Sequence, residues 1–180
     1  MFRRSLARHL VLLAAGFSAA LASADVLDTG DGGFTVKNTV TVPVDGLKAY
    51  TTVVDQVGKW WDPAHTYSGD AANLWIEAKP QGCFCERLPD QGFVRHMAVI
   101  FAAPGKILRL SGGLGPLQSI AASGVMTWSF KPAEKGTTVE VRYTVGGYNP
   151  AGFKDLAPSV DSVLRAQLER YQRLLATGKP

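Results

Sequence analysis

Both cysteines of the chain stand one residue apart in Gly82-Cys83-Phe84-Cys85-Glu86, beside a carboxylate. Such a cluster could ligate a metal, cycle as a redox pair, or pack as two small apolar side chains. Residues two apart on a strand share a face. Their Cα atoms lie about 6.5 Å apart with side chains parallel, near the upper limit for a disulfide. A bond between them requires a bent strand, and an exposed dithiol is at risk in an oxidising compartment. The expectation is therefore two buried structural thiols. A sharper alternative uses the next strand. If the turn at 89–92 closes a simple hairpin, His96 lies opposite Cys85 and Ala98 opposite Cys83. Cys83, Cys85 and His96 then form three ligands on one face. Glu86 points to the other face, and the spacing matches no standard zinc pattern, so neither a metal nor a cofactor is expected.

The acid–base candidates are Glu86, His96, Asp62 and His65. Glu86 sits mid-strand and needs a partner if it is buried. In a simple hairpin its facing neighbours are Arg95 and Met97, so an ion pair with Arg95 is the plainer expectation. The functional alternative is a carboxyl aimed into an apolar cavity, with raised pKa, ready to move a proton. His65 shares a loop with Asp62 and Tyr67. Trp60 and Trp61 are adjacent and should diverge, one into the core and one toward a cavity mouth. These rings and Tyr148 have large apolar faces with one polar edge, suited to packing or to stacking on a ligand. Gly112-Gly113-Leu114-Gly115 lacks the residues of a phosphate loop and reads as flexible backbone at a rim. No serine sits in a nucleophile pattern.

These residues need a frame. Arg3, Arg4 and Arg8, an apolar run from Leu10 to Leu21, and Ala22-Ser23-Ala24 read as a secretory signal over residues 1–24. The expected location is periplasmic or secreted, with no stable membrane anchor after cleavage. The chain has 19 Lys and Arg against 15 Asp and Glu; removing the three leader arginines leaves 16 against 15, near neutrality. No basic stripe argues for nucleic acid. Residues 25–33 are polar and glycine-rich and read as a flexible leader. Residues 34–42 alternate as a half-buried strand, and Pro43 ends it. Asp45 caps a helix bearing Tyr50, Val53, Val54 and Val57. Strands follow at 73–78, 82–88, 93–102, 107–112, 124–131 and 137–146, joined by short turns that imply an antiparallel meander. A final helix from near Pro158 carries Val160, Val163, Leu164, Leu168, Tyr171, Leu174 and Leu175 as one apolar stripe. The whole is an α+β domain over 34–176 whose last helix must bury its stripe on the sheet.

This order is the helix-grip layout, and the chain resembles the START-like, or SRPBCC, superfamily of birch-pollen-allergen type. It is similar in particular to the branch of homologues of the activator of a heat-shock chaperone's ATPase. The residues that carry the likeness are Trp60-Trp61, the 82–86 stretch and Pro104-Gly105-Lys106-Ile107-Leu108-Arg109-Leu110. Gly112-Gly113-Leu114-Gly115-Pro116-Leu117-Gln118 and Thr127-Trp128-Ser129-Phe130 extend it. The resemblance implies a curved sheet around the C-terminal helix, with a cavity between the two for an apolar or amphipathic small molecule. Chaperone activation is a cytosolic role, at odds with an exported chain. The ligand-binding candidates are Trp61, Glu86, His96, Gln118 and Tyr148. The alternatives are a cyclase, dehydratase or isomerase using Glu86 or His96 for proton transfer, and a module that grips a protein partner.

Overall fold

A computed structural model describes residues 23–180; the export signal read at 1–24 lies outside them but for Ser23 and Ala24. Among the described residues eight strands form one antiparallel sheet. They are β1 (Ser23–Gly30), β2 (Gly33–Val42), β3 (Leu74–Ile76), β4 (Cys83–Arg87), β5 (Phe93–Ala103), β6 (Ile107–Gly112), β7 (Ala121–Ala133) and β8 (Gly136–Tyr148). Their spatial order is β1-β2-β8-β7-β6-β5-β4-β3. Helices α1 (Gly46–Asp55) and α2 (Val57–Trp60) follow β2, and α3 (Leu156–Thr177) closes the chain. The sheet curves around α3, which makes the α+β helix-grip arrangement.

The sequence pattern explains most of this. Phe34, Val36, Asn38, Val40 and Val42 all face inward from β2. Asn38, the polar exception, donates its side-chain N–H to Asp161 on α3 at 2.9 Å, so a buried amide ties sheet to helix. Asp45 caps α1 by accepting the Lys48 N–H at 2.8 Å. Helix α3 begins two residues before Pro158, which falls in the first turn, where a missing N–H costs nothing. Gly178 ends it in the left-handed conformation at φ 79°.

The 25–33 leader is corrected: residues 23–30 form β1, paired antiparallel with β2. The side chains from Asp25 to Gly30 are exposed, so the strand is held by backbone hydrogen bonds that composition does not report. The last two strands run longer than the periodicity indicates, since β7 and β8 pair from Ala121↔Tyr148 to Ala133↔Gly136. Gly136 turns that hairpin at φ 105°, where a side chain would be strained.

The centre of the sheet–helix interface is filled. Trp60 packs on Trp128 and on Tyr171 with ring centroids 5.7 Å away in each case. All three are buried. Trp60 is thus the core member of the tryptophan pair.

Candidate functional site

The site originates in a one-residue irregularity. Strand β4 pairs with β5 as Cys83↔Ala98 and Phe84↔Met97, then as Cys85↔Arg95 and Glu86↔Val94. His96 is the extra residue, a β-bulge on β5. Its consequence is geometric. In a regular hairpin His96 shares the outer face with Cys85, and Arg95 lies inward beside Glu86. The bulge turns His96 inward next to Met97, so that two consecutive residues are buried, and sends Arg95 out to solvent. The ion pair of Glu86 with Arg95 is therefore corrected.

Glu86 is fully buried and His96 is 5% exposed. His96 Nε2 lies 3.0 Å from Glu86 Oε2. The Ser68 backbone N–H donates to Glu86 Oε1 at 2.5 Å. Burial alone would raise the Glu86 pKa. Hydrogen bonds from Ser68, the Tyr67 backbone and His96 more than offset that and hold it below the usual carboxylate range. Burial lowers the His96 pKa, and the opposing pull of Glu86 does not restore it. Near neutral pH the pair is thus a carboxylate beside a neutral imidazole. The raised carboxyl pKa expected in the catalytic alternative is reversed, because donors surround the carboxylate.

The cysteines sit on the other side of β4. They form a Cys83–Cys85 disulfide with Cα atoms 5.5 Å apart. The expectation of two free thiols is corrected: β4 is contracted where it faces the bulge, which is the bent strand that such a bond needs. The three-ligand alternative fails on the same geometry, since the sulfurs are bonded to each other and His96 faces inward. Among the described residues no group of three or more His, Cys, Asp or Glu is placed to hold a metal. Non-glycine residues with positive φ, among those described, are Gln81, Asp90 and Gln91, all in the turns that bound β4. Each costs on the order of 1 kcal/mol or more, and such strain gathers at functional sites.

His96 forms part of the wall of a cleft of about 290 Å³. Trp61, Leu114, Val160, Val163 and Leu164 give it an apolar character, and Tyr67 lies at its mouth. The Tyr67 ring stacks on the His96 ring at 5.9 Å and 21°. The loop after β6 is pinned rather than free: the Tyr143 hydroxyl donates to the Gly112 carbonyl at 2.8 Å and accepts the Leu114 N–H at 3.2 Å. Burial pushes the Tyr143 pKa up to about 12, so it stays neutral.

Of the five sequence candidates, three come together. Trp61 and His96 line the cleft and Glu86 lies behind His96. Gln118 is exposed and donates to the Arg95 carbonyl at 3.4 Å, while Tyr148, 71% exposed at the end of β8, is not in the cleft lining. Asp62 caps the 3-10 turn Pro63–His65, and exposed His65 borders the cleft. Sequence reasoning missed Ser68, which reaches the carboxylate from a loop distant in sequence and stands in no motif. It assigned Val160, Val163 and Leu164 to the apolar stripe, and the stripe was the available clue: Leu164 joins the core, Val160 packs against it, and all three also line the cleft.

Fold and site together define a helix-grip α+β protein with a ligand-sized cleft at the N-terminal half of its long helix. No protein-family model matches the chain, and no curated protein matches it. Solved structures share the fold. A conserved protein of unknown function, EF2215 from Enterococcus faecalis, superposes with a TM-score of 0.57 at 15% identity, over 84% of this chain and 77% of that one. DynU16, from the dynemicin biosynthetic locus, gives 0.55 at 18% identity, over 81% of this chain and 48% of that one. The di-domain ARO/CYC StfQ, from the steffimycin biosynthetic pathway, gives 0.56 at 16% identity, over 81% and 51%. The chain thus spans about half the length of the last two. At these identities the likeness is one of fold.

Proposed function

We propose that this chain is an exported helix-grip protein that binds an apolar or amphipathic small molecule in the cleft beside α3. The observation that carries the reading is the apolar wall of Trp61, Val160, Val163 and Leu164 around one buried polar group, His96. Apolar burial would supply affinity, at about 25 cal/mol per Å², and the imidazole orientation. The volume of 290 Å³ stands at the lower end of the roughly 300–1,000 Å³ usual for small-molecule sites. It favours a ring system or short chain over a full-length lipid. The signal read at 1–24 supports export. So does the disulfide, a bond that persists in oxidising compartments. The likeness to the chaperone-activator branch carries no activity over to an exported chain.

The Glu86–His96 pair favours a second reading, an enzyme of cyclase, dehydratase or isomerase type. A neutral imidazole held by a buried carboxylate is an arrangement suited to taking a proton from a bound substrate. The ARO/CYC protein among the structural neighbours supports this reading as an analogy of fold.

Native mass spectrometry of protein from the periplasm, with Nile red titration in parallel, tests binding. A retained small molecule, or dye binding weakened by Trp61→Ala, is the expected result. An empty protein that binds no dye would leave a protein-interaction module instead.

A further inference from the structure

The polar groups around the cleft are matched in an asymmetric way. Both Glu86 oxygens accept: Oε1 from the Ser68 N–H and Oε2 from His96 Nε2. The Ser68 N–H and the other hydrogen bonds to the carboxyl hold its pKa below the usual range, so near neutral pH the group is ionised and Nε2 must donate to it. The His96 proton therefore sits on Nε2, and Nδ1 carries a lone pair. Nδ1 is buried and has no hydrogen-bond partner among the described residues. A buried acceptor left without a donor is unfavourable.

The lining does not provide it with a donor. The Trp61 indole N–H donates to the His65 carbonyl at 2.9 Å, and the Thr66 hydroxyl to the Pro63 carbonyl at 2.7 Å. The Tyr67 hydroxyl donates to the Gly115 carbonyl at 3.1 Å, and Ser159 to the Asp155 carbonyl at 3.4 Å. Among the described residues no lysine or arginine lines the cleft; His65, its remaining titratable side chain apart from Tyr67 and His96, is exposed. The first turn of α3 does not act as an anion cradle either. The N–H groups of Leu156 and Ala157 donate to the Phe153 carbonyl, and Pro158 has none.

From these contacts we infer that His96 Nδ1, closed to solvent in the free protein, becomes a recognition acceptor when a ligand enters beside the ring, and that the cleft selects neutral ligands carrying a phenol- or enol-type O–H on an apolar body, against carboxylates. The inference rests on the ligand-binding reading above. A donor hydroxyl satisfies Nδ1. A carboxylate meets its lone pair, with the Glu86 charge just behind the ring and no cation to offset it.

Three probes on one ring system test this by calorimetry at pH 7.5: 2-naphthol, 2-methoxynaphthalene and 2-naphthoate. The expected order is 2-naphthol tightest, by about three- to tenfold over the methoxy probe, as one net hydrogen bond allows, and 2-naphthoate weakest. His96→Phe should erase the preference for 2-naphthol over the methoxy probe. Glu86→Gln is a second, sharper variant. Its amide donates to Nε2, which moves the imidazole proton to Nδ1, so the preference should reverse toward 2-methoxynaphthalene. Equal binding of 2-naphthol and the methoxy probe in the wild type, or tightest binding of 2-naphthoate, overturns the inference and leaves the cleft reading standing. Failure of all three probes to bind overturns the cleft reading and this inference with it.

Discussion

The hairpins β7–β8 and β4–β5 divide the labour of this sheet. In the first, register holds without a shift from Ala121↔Tyr148 to Ala133↔Gly136. Its inward residues Trp128, Phe130, Val139, Val141 and Tyr143 all join the core. In the second, register breaks after two pairs, one strand is cross-linked to itself, and the turns at both ends hold residues in left-handed conformations. The regular hairpin makes stability, because its central inward positions pack. The irregular one places a carboxylate and an imidazole together on a face that strict alternation would have given to Glu86 and Arg95. A sheet of this kind obtains a polar site by breaking its pattern locally, where the loss of ladder is confined to an end of the structure.

The comparison can be broken in graded steps. The largest effect belongs to the regular hairpin: Trp128→Ala removes a buried ring packed on Trp60 and Tyr171. It should cost about 3–5 kcal/mol in urea unfolding. The same loss at an exposed residue of β4–β5, such as Phe93→Ala, should fall within about 0.5 kcal/mol.

Removing the disulfide with Cys83→Ser/Cys85→Ser should cost less than the tryptophan change, about 1.5 kcal/mol, because so short a loop constrains the unfolded chain little. The variant should also lose affinity for 2-naphthol, since β4 is then free to relax against the bulge. Unchanged affinity would show that the bulge holds the site without the cross-link.

Acid should act through β4–β5. The folded protein holds His96 and Glu86 below their ordinary values of 6.5 and 4.5, so on acidification it binds fewer protons than the unfolded chain. The stability they contribute is present above those values and is lost as pH falls through the lower folded ones. Wild-type unfolding midpoints should therefore drop more between pH 7 and pH 4 than those of Glu86→Gln/His96→Phe. Parallel profiles would show that the pair is not the acid-sensitive element.

The smallest effects are expected at Gln118 and Tyr148. Both are exposed and neither lines the cleft. Alanine at either should change stability by less than about 0.5 kcal/mol and leave probe binding unaltered.

The same contrast explains what could be read from residues alone. Strands β2 and β8 alternate cleanly, and α3 carries an unbroken stripe, so the architecture follows from periodicity. Trp61, Glu86 and His96 were visible as residue types able to bind or move protons. Their meeting was not, because a single extra residue in β5 inverts which of Arg95 and His96 faces inward and leaves no mark in composition. The disulfide was hidden for the same reason: a straight β4 argues against it, and the strand is not straight. Strand β1 was missed because its side chains are exposed and its pairing is carried by backbone.

The most direct test is nitrogen-15 NMR of the His96 ring at pH 7, with and without 2-naphthol. The expected spectrum shows a neutral imidazole protonated at Nε2 with a bare Nδ1, and the Nδ1 resonance moves when 2-naphthol is added. A proton on Nδ1, or an Nδ1 resonance unmoved by saturating 2-naphthol, would contradict the account.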